Sequence, residues 1–356
     1  MQSPRITSGA LAAFLSSFLV IPFAATCAQA AFPAKVFSPY LEIDSGENLE
    51  GKLTTLKSTT GQPYYTLAFI LASSSDKPVW GDNGPTATGT TYLTQINALR
   101  AAGGDVILSF GGADGTELAD ATTSLSTLES QYQAVITAYH ATWLDFDIEG
   151  NTLSNTAGNQ LRNSALAALQ IANPGLQISY TLAADTSGLD PEGLTLLKNA
   201  AADGLSIRTV NAMTMDFGTS EIKNKTEAAV AITTATAVHN EISSVLPNAG
   251  VGLTPMIGQN DNVGEVFTMA DATTLLNFAN TTSWVNYIGM WSIDRDNGTV
   301  VNTSANDTSS GIVQPTDFFT DTFKTFSTPE PSSLTLLVIA APFFLTRRLR
   351  VRLVNA

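Results

Sequence analysis

Three carboxylates stand at alternate positions in the stretch 142–150, which reads TWLDFDIEG: Asp145, Asp147 and Glu149. With a period of two, Leu144, Phe146 and Ile148 point one way and the three acids the other, so the stretch is expected to be a β-strand. Burying three unpaired charges in an ordinary core would be very costly. Leaving the face in water would instead uncover the large apolar residues between them. A parallel strand in an α/β barrel meets both demands, because its apolar side packs on helices and its acidic side reaches the mouth where such barrels do chemistry. Same-face neighbours on a strand lie roughly 6–7 Å apart, so the acids are expected to titrate together, with at least one holding a proton near neutral pH. A protonated carboxyl in a cleft is suited to general acid catalysis. A calcium site would draw on a flexible Asp/Asn/Gly loop instead. No metal-ligand spacing appears, and His140 and His239 lie too far from the strand end in sequence to suggest a triad. No cofactor is expected.

The elements that must carry this strand recur along the chain. Apolar, β-like runs at 36–41, 65–71, 105–110, 143–149, 177–182, 210–216, 251–257 and 285–293 alternate with helical patterns. One such helix is expected over 159–171, where Leu161, Leu166 and Leu169 share a stripe that Pro174-Gly175 ends. Another is expected over 271–280. Eight strands alternating with helices imply an α/β fold, a (β/α)8 barrel forming a single catalytic domain over residues 31–326.

Both ends read differently. Residues 1–30 have the form of a secretory signal: Arg5, an apolar run from Ala10 to Ala25, and Ala28-Gln29-Ala30 as a small-residue cleavage site. The single cysteine, Cys27, falls inside that signal, so the mature barrel is expected to hold no disulfide. In 327–356, Pro329-Glu330-Pro331 precedes an apolar run from Leu334 to Leu345 and then Arg347, Arg348, Arg350 and Arg352. The whole chain has 17 Lys+Arg and 31 Asp+Glu. Setting aside the five arginines and one glutamate of the ends leaves 12 against 30, about −18. Such a surface disfavours nucleic acid and anionic polymers and suits a neutral ligand.

The acidic strand resembles the catalytic strand of glycoside hydrolase family 18, the chitinases and their relatives, whose fuller pattern is D-G-x-D-x-D-x-E. Thr142 and Trp143 occupy the first two places here, so the inner D-x-D-x-E is what matches. The third strand ends in Ser109-Phe110-Gly111-Gly112, similar to the family's S-x-G-G; paired glycines there let backbone approach closely and leave room for a sugar ring. The sixth ends in Met213-Thr214-Met215-Asp216, similar to M-x-Y-D, with Met215 in place of a tyrosine that holds the substrate acetamido oxygen. Tyr180, on the fifth strand, is the candidate to replace it. Met290-Trp291 matches the tryptophan that floors the family's sugar site, and Tyr40 and Phe69 fall where the family lines its cleft.

The resemblance implies hydrolysis of chitin or N-acetylglucosamine oligomers with retention, the substrate's own acetamido oxygen replacing the second carboxylate that retaining enzymes ordinarily need. Glu149 would be the acid, Asp147 would orient the acetamido N–H, Asp145 would share a proton with Asp147, and Asp216 would bind the sugar. The same strand is compatible with an endo-β-N-acetylglucosaminidase acting on glycoprotein glycans, and with a chitin-binding lectin. The tail resembles PEP-CTERM sorting segments. That implies exosortase-type processing, a transient C-terminal membrane segment, and delivery to the surface or exterior of a Gram-negative bacterium. Only 27 residues, 258–284, separate the seventh and eighth expected strands, enough for one helix and its loops. One side of the groove is therefore expected to be open, which favours endo-type cutting.

Overall fold

The computed structural model describes residues 31–326 except 44–48, 50 and 83. The expected export signal and sorting tail lie outside the described residues.

Eight parallel strand positions close into a ring. The first is broken into Val36–Phe37 and Tyr40–Glu42, and the others are Tyr64–Ala72, Asp105–Gly111, Trp143–Ile148, Gln177–Asp185, Thr209–Met213, Gly250–Thr254 and Val285–Ile288. Each pairs with the next in parallel register, for example Phe146 opposite Tyr180 and Val251 opposite Val210. Closure comes from the broken first strand. Its first piece pairs with the last strand, Val36 opposite Tyr287, and its second with the second strand, Tyr40 opposite Thr66. The backbone between them bridges the seam, with Ser38 N–H on Ile288 O at 2.9 Å and Thr66 N–H on Pro39 O at 2.9 Å.

A helix follows every strand, as the alternation predicts: Lys52–Thr60, Leu93–Ala101, Leu125–Tyr139, Thr156–Ala172, Pro191–Ala202, Glu227–Ile242, Met269–Thr281 and Phe318–Phe323. Side chains within the strands decide where each helix packs. Outward-pointing Leu144, Phe146 and Ile148 join the apolar shell beneath the helices, and all three are fully buried. Inside the ring, Phe32, Val36, Tyr64, Ile107, Trp143 and Tyr287 form a separate apolar plug at the strands' N-terminal end, and the Arg208 guanidinium lies 4.3 Å over the Trp143 ring. The C-terminal end of the ring carries a mixture of carboxylate, hydroxyl, methionine and aromatic side chains.

Local chemistry sets the boundaries that differ from expectation. The helix expected from 159 begins at Thr156, because the Asn155 side chain accepts from Gly158 N–H at 3.1 Å and caps it. The helix expected at 271–280 starts at Met269, where Thr268 and Asp271 form a reciprocal capping box. The sixth and eighth strands end at Met213 and Ile288, short of Asp216 and Trp291, since the backbone leaves the sheet to turn over the barrel mouth. The segment after the seventh strand also holds more than one helix and its loops. Gly258–Gln259 pairs antiparallel with Val266–Phe267 in a small hairpin.

Candidate active site

At the strands' C-terminal end opens a cavity of about 510 Å³. The fourth strand delivers the acids to it in depth order. Asp145 lies deepest, 3% exposed, and Asp147, 5% exposed, lines the cavity above it. Glu149, the residue just before the short helix Gly150–Ser154, stands half-buried at the rim of the same cavity.

Asp145 sits in a cage of hydroxyls. It accepts from Ser179 Oγ at 2.6 Å, Ser109 Oγ at 2.8 Å, Thr181 Oγ1 at 3.0 and 3.1 Å, and Tyr40 Oη at 3.1 Å. Asn211 Nδ2 supports the cage from the sixth strand, donating to Thr181 Oγ1 at 3.0 Å. Burial pushes the Asp145 carboxyl upwards, and the hydroxyl donors pull it back. Asp147 has no such cage. Its Oδ1 is buried without a hydrogen-bond partner among the described residues. Burial first, then the charges of Glu149 and Asp145, hold its carboxyl well above the ordinary aspartate range. Glu149 is also raised, by burial and then by Asp114 and Asp216. No hydrogen bond joins Asp145 to Asp147 in this conformation, and Asp145 acts on Asp147 through its charge. Both Asp145 oxygens are already occupied by hydroxyls.

Trp291 lines the cavity. Its ring stacks on Phe69 at 5.9 Å and 16° and leans against Tyr40 at 5.9 Å. All three rings line the cavity, as do Met215 and Asp216. Glu42, Asp82, Asp114 and Asp261 add four more carboxylates, and none of the lining residues is a lysine or arginine. A cleft lined by so many carboxylates disfavours anionic chains.

Two expectations need correction. Tyr180 faces away from the cavity: it is fully buried, donates to Asn163 Oδ1 at 2.5 Å and packs on Phe146. Strand parity explains this, since Ser179 and Thr181 on either side point inward at Asp145. Thr181 is the cavity residue of that strand. Gly111 and Gly112 make room for protein rather than sugar. Both have φ above 90°, and an added Cβ would meet Asp147 O at 2.1 Å or the Phe69 ring at 2.7 Å. Gly112 N–H in turn donates to Asp147 O at 2.9 Å. The two histidines lie elsewhere: His239 stacks on Trp284 at 4.3 Å and His140 caps a helix with φ 50°, and neither lines the cavity.

Sequence reasoning missed the hydroxyl cage and the rim acids. The cage residues Ser179 and Thr181 were detectable as polar positions alternating with Ile178, Tyr180 and Leu182. Of the additional lining acids, Asp82, Asp114 and Asp261 come from loops and carry no periodic signal, while Glu42 ends the second piece of the first strand.

No protein-family model matches the chain. Curated relatives include a probable bifunctional chitinase/lysozyme of Escherichia coli, 34% identical over 288 residues, which are 75% of this chain and 31% of the relative. Endochitinase 11 of Metarhizium anisopliae is 33% identical over 290 residues, 75% of this chain and 53% of the relative. The chain thus spans from a third to about half the length of these curated relatives. Among solved structures, the catalytic domain of a hyperthermophilic chitinase from Pyrococcus furiosus superimposes with a TM-score of 0.74 at 31% identity, covering 84% of this chain and 96% of that domain. Catalytic site mutants of that active domain have been solved with chito-oligosaccharides.

Proposed function

The chain belongs to glycoside hydrolase family 18, the chitinases, and from that premise we propose that it hydrolyses β-1,4 linkages of chitin or N-acetylglucosamine oligomers with retention. The observation that carries this reading is Asp147 Oδ1: a buried acceptor with no partner, lining the cavity beside a half-buried Glu149. A buried polar atom without a partner is costly. A substrate N–H is the group that would satisfy it.

The steps follow from what each group can do. Glu149, shifted towards its protonated form by burial and then by Asp114 and Asp216, would give its proton to the glycosidic oxygen as the bond to the leaving sugar breaks. The acetamido oxygen of the retained sugar attacks the same carbon and closes an oxazolinium ring. Asp147 accepts the acetamido N–H and offsets the positive charge that develops there. Water then opens the ring while Glu149 takes a proton back. Two displacements at one carbon leave the β configuration. Asp145 stays in its cage beneath Asp147 and biases it by charge, Asp216 binds the sugar, and Trp291 supports its face.

A second reading has one observation in its favour. Met215 lines the cavity where the family pattern has a tyrosine, so the acetamido oxygen lacks that hydroxyl; this suits a non-hydrolytic chitin-binding protein. Intact Glu149 and Asp147 favour the enzyme. The proposed setting is export through the signal at 1–30, processing of 327–356 by exosortase-type machinery, and residence at the surface or exterior of a Gram-negative cell.

Release of a reporter from its chitobioside, run beside release of glycan from a glycoprotein, tests the activity. Reporter release without glycan release is expected. Glycan release alone would move the assignment to an endo-β-N-acetylglucosaminidase, and binding without either to the lectin.

A further inference from the structure

We propose that the hairpin built from Gly258–Gln259 and Val266–Phe267 positions Asp216, and that Asn262 at its tip is the positioning residue. The inference rests on the reading of Asp216 as a sugar-binding residue.

Asp216 leaves the sixth strand with φ 52°, a left-handed conformation that few residues other than glycine adopt without support. The support comes from the hairpin. Asp216 N–H donates to Asn260 Oδ1 at 3.2 Å, Asn262 N–H donates to Asp216 Oδ1 at 3.0 Å, and Asn262 Nδ2 donates to Asp216 O at 2.7 Å. Two residues on, Gly218 N–H donates to Glu265 Oε1. The residue's amide, carbonyl and carboxylate are therefore all gripped from one side. Since Oδ1 is occupied by the Asn262 amide, Oδ2 is the oxygen left for the cavity.

The grip is itself anchored. Asn260, 2% exposed, donates to Met256 O at 3.0 Å and Gly258 O at 3.2 Å. The turn is closed by Asn260 N–H on Glu265 O at 3.0 Å and Glu265 N–H on Asn262 O at 3.1 Å. Buried Arg295 donates to Ile257 O at 3.0 Å and also to Gln259 O, and Gln259 N–H reaches Ser310 O at 2.8 Å. The hairpin is thus tied to the segment after the eighth strand while it holds the residue after the sixth. Asp261, between the two asparagines, lines the same cavity.

The test is a double-mutant cycle. One hydrogen bond of this kind contributes roughly 0.5–1.5 kcal/mol, so Asn262→Ala is expected to raise KM for a chito-oligosaccharide about two- to tenfold. Its kcat should stay within about twofold, as for an interaction equally strong in ground and transition states. In an Asp216→Ala background the same change should move KM less than about twofold, because the residue through which it acts is gone. An equal rise in both backgrounds, or no rise in the first, overturns the proposal.

A readout independent of turnover is the carbon-13 titration of the Asp216 carboxyl. Asp261, Arg295, Glu265, Glu227 and Glu149 are the charged groups around it, and all remain in the variant. The Asn262 backbone N–H favours the ionised form; Asn262→Ala keeps that N–H but removes the Nδ2 bond to Asp216 O that holds the two together, so the Asp216 pKa should move up. An unmoved titration overturns the proposal. Wild-type protein that turns over no chito-oligosaccharide would refute the assigned function, and the titration would still decide the role of the hairpin.

Discussion

Replacing Asp145 by alanine measures how much the hydroxyl cage contributes to the barrel as well as to the chemistry. Four hydroxyls donate to this carboxylate, but they do not depend on it equally. Tyr40 Oη and Thr181 Oγ1 lie 2.9 Å apart and can bond to each other once it is gone. Ser109 has no other hydrogen bond for its side chain, and Ser179 otherwise only accepts, from Trp143 Nε1 at 3.0 Å. Only one of Tyr40 and Thr181 can donate to the other, so with Ser109 and Ser179 three buried donors are stranded, at roughly 1–3 kcal/mol each, for a loss of about 3–9 kcal/mol. Asp145→Asn keeps one acceptor oxygen in place and should lose about half as much. Both should be nearly inactive, since each removes the charge beneath Asp147. Urea unfolding at pH 7, followed by circular dichroism with the slope checked for constancy, separates the two. If alanine costs less than about 1 kcal/mol, or asparagine costs as much as alanine, the cage is not the source of the stability.

Other outcomes follow from the same geometry. Glu149→Gln should lower turnover roughly 10²–10⁴-fold, the usual worth of a general acid, while sugar binding by calorimetry stays within a few-fold; retention of a tenth of wild-type rate would remove Glu149 from that role. Asp114→Asn should shift the basic limb of the kcat/KM profile to lower pH, because it removes a negative charge that keeps Glu149 protonated; a limb that stays put or rises contradicts the attribution. Asp147→Asn should stabilise the fold at neutral pH. The folded-state pKa of Asp147 is raised, so ionising it costs stability above the unfolded value, and that cost is absent below it. Urea midpoints of variant and wild type should therefore diverge as pH rises from about 3 to 8; a gap that is widest at low pH would refute the sign. The viscosity of a soluble chitin derivative should fall early relative to reducing ends, as expected if a segment holding only a short hairpin and one helix between the last two strands leaves the groove open; a slow fall with dimer dominant would mean that the groove is enclosed.

The barrel was legible because its signals are periodic. Alternation of Leu144, Phe146 and Ile148 with three acids fixes which face of one strand meets the cavity, and recurrence of apolar runs fixes the count of strands. Parity also held the answer for the fifth strand, where polar Ser179 and Thr181 point at Asp145 and Tyr180 therefore cannot. The glycine pair was read as space for sugar, although its positive φ values serve the Asp147 carbonyl and the Phe69 ring. Such a distinction depends on which backbone lies opposite, and that is fixed only when two strands are aligned. The hairpin over Asp216 left no periodic pattern: Phe267 ties it to the apolar core, but its hold on Asp216 and Gly218 comes from hydrogen bonds of Asn260, Asn262 and Glu265.

The central claim, that the substrate's acetamido group is the nucleophile, is tested most directly by proton NMR of the first-formed product of N-acetylglucosamine-oligomer hydrolysis, recorded before mutarotation. The β-anomer is predicted, from two displacements at one carbon. The α-anomer as first product would contradict the account, since it would mean that water attacks directly and that Asp147 serves as its base.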